Sequence, residues 1–93
     1  MSEPILPANF PATPSISRRF RMQWEEAQQC HVLLYPEGMV KLNGSAGEIL
    51  LCCDGATSVD GIVEKLEAKF QTTGLRADIE GLLAHAFGQK WIV

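Results

Sequence analysis

The sequence predicts an α+β domain, a three-stranded antiparallel sheet followed by three helices, and three observations point to it. Residues from Arg19 to Leu42 alternate with period two or run uniformly apolar, stripes at helical spacing take over after Asn43, and 93 residues suffice for one small core. In the first strand Phe20, Met22 and Trp24 share one face while Arg19, Arg21 and Gln23 share the other, as in a half-buried strand. A polar connection over residues 25–29 is long enough for a hairpin. Cys30, His31, Val32, Leu33, Leu34 and Tyr35 are too uniformly apolar to alternate, which suits a middle strand. Pro36, Glu37 and Gly38 make a turn, because Pro fixes φ and Gly tolerates positive φ. Met39, Val40, Lys41 and Leu42 complete a meander whose last strand lies at an edge.

The helices follow from caps and stripes. Asn43, or Ser45 with Glu48 three residues on, caps a helix to about Cys53 with Ala46, Ile49, Leu50 and Cys53 on its apolar face. Asp54 and Gly55 stop it. Thr57, Ser58, Val59 and Asp60 have the spacing of a capping box, after which Val59, Ile62, Val63, Leu66 and Phe70 fall on one face. Leu75, Ile79, Leu82, Leu83 and Ala86 form the third stripe, ended near Gly88. Trp91, Ile92 and Val93 are too apolar for water and should pack back on the domain or on a second subunit. No internal repeat appears.

Composition narrows the function. The net charge of −3, with eight Lys and Arg against eleven Asp and Glu, disfavours a nonspecific nucleic-acid clamp. Three cysteines form an odd set whose one close pair is adjacent in sequence, so reduced thiols and a reducing compartment are expected. No apolar run approaches the roughly 18 residues of a bilayer span, and residues 1–17 lack the pattern of a leader, so a cytoplasmic protein with no membrane partner is expected. Pro4, Pro7, Pro11 and Pro14 predict an extended, solvated, flexible tail over residues 1–17, with the folded domain at 18–93.

Few polar groups converge in the way catalysis requires. His31 sits in an apolar strand and His85 on the third helix, neither with a Cys or His at metal-ligand spacing. Cys52 and Cys53 would point about 100° apart on a helix, which argues for packing over a thiol switch. Glu25 and Glu26 face opposite sides of a strand end and would not flank a common substrate. The glycine-rich residues 43–47 lack a phosphate-loop pattern, and helix capping explains them. No catalytic residue, metal or cofactor is therefore assigned.

Two readings survive for a domain of this winged helix-turn-helix-like order, nucleic-acid binding and peptide binding, with a thiol-redox role as a further alternative. A recognition helix must present cations or amides to bases, yet the third helix offers Arg76 against Asp78 and Glu80. The only basic cluster is Arg18, Arg19 and Arg21, and from Met22 onward there are five cations and ten anions. That cluster suits an acidic peptide or partner protein as readily as nucleic acid, and a solvated strand face equally well.

Arg19-Phe20-Arg21, Gln23-Trp24-Glu25, Leu34-Tyr35-Pro36-Glu37-Gly38, Leu42-Asn43, Glu48-Ile49-Leu50, Cys53-Asp54-Gly55, Ile62-Val63, Leu66 and Trp91-Ile92 together resemble the PqqD family of pyrroloquinoline quinone (PQQ) biosynthesis. The resemblance covers about residues 18–92 and rests on order and spacing. It implies a non-enzymatic chaperone that recognises the ribosomally made precursor peptide PqqA. The peptide would be presented to PqqE, a radical S-adenosylmethionine enzyme carrying iron–sulfur clusters, which joins a Glu and a Tyr of it. Lys90 stands where the family usually has Gly, which bears on the path after the third helix.

A mechanism follows from the unpaired edge. A peptide adding as a strand along Met39, Val40, Lys41 and Leu42 would satisfy main-chain groups without demanding one side-chain sequence. Ile79, Leu82, Leu83 and Phe87 are expected to wall a groove above that edge, although Leu82 and Leu83 fit an ordinary core equally well. Lys41 and Arg76 are expected to steer acidic residues of the precursor. Val40→Pro tests the pairing if the Val40 amide faces the added strand. The same edge and the apolar end at Trp91 make a homodimer a further expectation.

Overall fold

The computed structural model describes residues 5–93. Pro4 and the rest of the first four residues of the expected tail lie outside the described residues. The chain forms β1 (Arg21–Glu25), β2 (Cys30–Tyr35), β3 (Gly38–Lys41), α1 (Gly44–Leu51), α2 (Val59–Lys69) and α3 (Arg76–Gly88). The three strands make one antiparallel sheet in the order β1-β2-β3. This is the α+β arrangement that the patterning predicts.

Two of the three helices begin where the sequence supplies a capping acceptor. The Asn43 side chain accepts the Ala46 amide at 2.7 Å, so Asn43 and not Ser45 caps α1. Ser58 Oγ accepts the Gly61 amide at 3.1 Å at the start of α2, with Asp60 in the first turn and Lys69 in the last, as the helix dipole favours. Leu75, the N-cap of α3, has no capping side chain, and its own amide donates to the Glu67 carboxylate at 3.0 Å. That bond ties the start of α3 to α2.

Two helices end in the same way, with a left-handed residue that is not glycine. After α2, Gln71 has φ 52°, its amide reaches Ala68 O, and Thr72 N bonds Glu67 O. After α3, Lys90 has φ 65°, its amide reaches Phe87 O at 3.0 Å, and Trp91 N reaches Ala86 O at 2.9 Å. Both are Schellman closures, in which the last carbonyls of the helix find amides beyond its end. Lys90 thus takes the conformation that a glycine would take at lower cost.

Leu33 from the sheet, Leu50 from α1, Ile62 from α2, Leu83 from α3 and Ile92 beyond α3 are each at most 1% exposed and form one cluster. Burial of each stabilises the fold by about 1.5–3 kcal/mol. α1 packs on β2 with little space between them, since a Cβ at Gly47 would lie 3.1 Å from His31 Nδ1. Phe70, expected on the α2 stripe, is 51% exposed, because the helix ends at Lys69 and the chain turns away at Gln71. Trp24, expected on the buried face of β1, is 48% exposed; its indole N–H donates to Glu26 at 2.8 Å and its ring meets His31 edge-on.

The later part of the proline-rich segment is not a solvated tail. Ser15 exchanges two backbone bonds with Val93 at 3.0 and 2.8 Å, and Ser17 N donates to Trp91 O at 2.7 Å. Pro14 is fully buried and its carbonyl accepts the Gly55 amide at 3.0 Å. Phe10 meets Phe87 with ring centroids 5.3 Å apart. These residues form a strap across the C-terminal segment. The expectation of a loose tail fails here because burial of Pro14 and the paired amides outweigh the preference of Pro-rich chain for water.

Candidate functional site

β3 bonds to β2 on one side, and the alternation of the antiparallel ladder fixes what its other side presents. Tyr35 and Gly38 face each other across the two-residue turn, Leu33 pairs with Val40, and Leu42 N donates to His31 O at 3.0 Å. Bonded pairs recur at every second residue, so the main-chain groups of Gly38, Val40 and Leu42 point to β2. Those of Met39 and Lys41 point outward. The Val40 amide therefore does not face an added strand, and a proline there would break the sheet itself.

The side chains of Met39 and Lys41 are exposed, Val40 is half-buried against the core and Leu42 is buried. The candidate edge thus offers two outward donors and two outward acceptors, with one flexible apolar side chain and one cation beside them.

At the far end of β3 the chain passes through Leu42 and Asn43 into a cleft of about 450 Å³. Gly44, Ser45, Glu48 and Ile49 of α1 line one part, Leu66 of α2 and Phe70 just beyond its end another, and Leu75, Asp78 and Ile79 the rest. Its apolar surface is set between α1 and the first turn of α3, and Lys69 pairs with Glu48 at its rim. A branched or aromatic side chain fits such a space. Sequence reasoning placed only Ile79 here. The half-exposed Phe70 was the available signal, an apolar residue at the end of a stripe with nothing required to cover it.

The expected groove wall on α3 is divided. Ile79 lines the cleft just described, whereas Phe87 lines a different hollow at the other end of α3. Leu83 is 0% exposed and is core; Leu82 is half-buried against that core. No lining residue of either hollow belongs to β3. The helical period put these residues on neighbouring faces correctly, but α3 packs on α1 and α2, which takes up the Leu83 side.

Arg76 is not a free steering charge. Its guanidinium donates to Asp60 at 2.7 Å and to Glu80 at 3.0 Å, hydrogen bonds that raise its pKa further. With two carboxylates on one cation, the local balance is negative. Lys41 has no ion-pair partner among the described residues.

The cysteines are free thiols, and burial sets their character. Cys53 is 4% exposed, its Sγ lies 3.6 Å from Ile49 O, and desolvation pushes its pKa up to about 12, with Cys52 and Asp54 adding to the rise. Cys52 is also raised by desolvation. Both are poor nucleophiles in the folded chain. His85 packs edge-on to Trp91, and among the described residues no three His, Cys, Asp or Glu side chains gather as metal ligands. No described helix is long and apolar enough to cross a membrane.

Against known proteins, the family model for coenzyme PQQ synthesis protein D (PqqD) matches residues 30–92. A PqqA binding protein of Pseudomonas aeruginosa (strain UCBPP-PA14) is 52% identical over 82 residues, 87% of this chain and 89% of its own. A PqqA binding protein of Methylococcus capsulatus is 48% identical over 77 residues, 83% of each chain. Among solved structures, the solution structure of the PqqD truncation of Methylobacterium extorquens PqqCD superposes with a TM-score of 0.74 at 27% identity, covering 90% of this chain and 94% of that one. That protein is a functional, stand-alone recognition element for ribosomally synthesized and post-translationally modified peptides. With the same order of three strands and three helices and half of its residues shared with such relatives, the chain belongs to the coenzyme PQQ synthesis protein D (PqqD) family.

Proposed function

We propose that this protein binds the precursor peptide PqqA as a fourth strand on β3 and presents it to the radical enzyme PqqE. The outward main-chain groups of Met39 and Lys41 support this reading, because an extended peptide is the simplest partner for an unpaired strand edge. Relatives sharing about half of the residues are PqqA binding proteins, and the solved neighbour is a peptide recognition element. The chain then acts as a carrier, not a catalyst.

In this reading Val40 and Leu42 hold β3 to β2, Met39 and Lys41 pair with the peptide, and the cleft at Ile79 receives one of its apolar side chains. Lys41 supplies the steering charge that Arg76 does not. Leu82 flanks the path on α3, Leu83 supports it from within the core, and Phe87, at the other end of the helix, stands apart from it. Residues 18–93 carry the recognition, and the strap before them braces the C-terminal segment. The free thiols suit work in the cytoplasm. A homodimer through the same edge would compete with the peptide, and sedimentation at several concentrations with and without PqqA would reveal that exchange.

Calorimetric titration with synthetic PqqA tests the reading directly. One peptide per chain is expected, with chemical-shift changes concentrated at Met39, Lys41 and the cleft. Saturable binding that leaves β3 amides unmoved would remove strand addition from the account.

A further inference from the structure

The hollow at the C-terminal end of α3 has a chemistry unlike that of the cleft between α1 and the first turn of α3. Its volume is about 630 Å³, and Phe20, Tyr35 and Phe87 are half-buried around the buried Ile92. Arg19 and Lys90 stand at its rim, with Glu37 as the only side-chain carboxylate in the lining. A shallower hollow of about 400 Å³ adjoins it, sharing Arg19, Phe20 and Tyr35 and adding Arg18, Arg21 and Leu34. Among the described residues none of Arg18, Arg19, Arg21 or Lys90 is ion-paired, while Arg76 and Lys69 are.

Four cations without an ion-pair partner among the described residues, against the one side-chain carboxylate of Glu37, run against the balance of the chain, which has ten anions to five cations from Met22 onward. Like charges this close repel one another, so the patch is best accommodated when something negative covers it. Its position limits what that can be. Arg21 begins β1, and β1 and β3 are opposite edges of the sheet, about 10 Å apart at two strand spacings. A strand lying along β3 leaves Arg21 of β1, and Arg18 and Arg19 just before it, in water. An occupant that reaches from the end of α3 to the start of β1 must be broad, which favours a folded surface over a single extended segment.

We infer that this double hollow docks an acidic surface of the folded protein that takes delivery of the peptide, with an apolar side chain of that protein seated against Phe20, Tyr35 and Phe87. The inference rests on the carrier reading above, and it assigns the two tasks to separate surfaces. Peptide pairs at β3 while the acceptor protein holds the opposite side, so both are bound at once. The charges set the encounter rate and its salt dependence; the aromatic wall supplies the apolar contact.

The double variant Arg19→Glu/Lys90→Glu in the full chain separates these tasks, with an amide spectrum to show that it is folded. Purified PqqE and synthetic PqqA are titrated separately. Affinity for PqqE should fall by about tenfold or more, the wild-type association rate should drop as salt rises, and affinity for PqqA should stay within about twofold. The independent variant Arg18→Glu/Arg21→Glu should repeat the pattern. Unchanged PqqE affinity in both variants overturns the inference. So does a loss of PqqA affinity with PqqE unaffected, which would give the hollow to the peptide. Failure of the β3 reading is a distinct result, because proline at Met39 or Lys41 would then leave PqqA binding intact whatever happens at PqqE.

Discussion

Proline placed at each position of β3 separates the two sides of the strand. Gly38, Val40 and Leu42 bond to β2, while Met39 and Lys41 face outward. A proline is tolerated in an edge strand where the missing N–H faced solvent, so Met39→Pro and Lys41→Pro should fold. If the peptide pairs there, about four outward groups at about 1 kcal/mol net each contribute roughly 4 kcal/mol, a factor of about a thousand in Kd. Loss of one donor, with a peptide carbonyl left poorly satisfied, costs about 1–2 kcal/mol, or about five- to thirtyfold in affinity. Val40→Pro should behave in the opposite way. It removes the bond to Leu33, a residue that is 0% exposed, and about 2 kcal/mol of stability, lowering Tm by about 10 °C. Calorimetry with synthetic PqqA and thermal unfolding of the three variants give both numbers. Wild-type affinity in folded Met39→Pro and Lys41→Pro would refute the pairing, and an undisturbed Tm in Val40→Pro would refute the ladder parity itself.

Leu83→Ala should cost about 3 kcal/mol by leaving a cavity, seen as a fall in urea midpoint, because Leu83 has no exposed surface; a stable variant would return it to the groove wall. Lys90→Gly should raise stability by about 1 kcal/mol in the same assay, since glycine adopts φ 65° without strain. Cys53 keeps its proton in the folded chain up to about 12 but only to 9.0 when unfolded, so its contribution is present below pH 9 and is lost as pH rises through that window. Denaturation from pH 8 to 11 should show this decline, and Cys53→Ala should flatten it.

What the sequence could reveal depended on whether the cause lay within a few residues. The bounds of β2 are legible because an apolar run stands between a polar connection and Pro36. The caps at Asn43 and Ser58 are legible because the accepting oxygen sits three residues from its donor. Phe70 misleads because the end of α2 depends on Gln71 entering the left-handed region, and nothing in Gln-Thr-Thr announces it. The outward direction of Met39 and Lys41 was within reach, since a two-residue turn makes its flanking residues a bonded pair, but the period of the side chains says nothing about the backbone. The strap was out of reach altogether. Pro14, Ser15 and Ser17 find Gly55, Val93 and Trp91, partners remote in the chain and joined by isolated bridges that leave no periodic trace. Division of the α3 face into core and two hollows likewise depends on where α1 and α2 lie, which no stripe on α3 records.

The pairing of Ser15 with Val93 and of Ser17 with Trp91 makes the segment before β1 and the segment after α3 a single latch. Ile92, the bottom of the arginine-rimmed hollow, is held in place from one side by that latch and in the core by the other. Peeling residues 14–17 away would therefore erase a surface to which only Ser17 of the four contributes a wall, so a trimmed or tagged leading segment should be judged by amide exchange at Val93 before any loss of association is blamed on a charge.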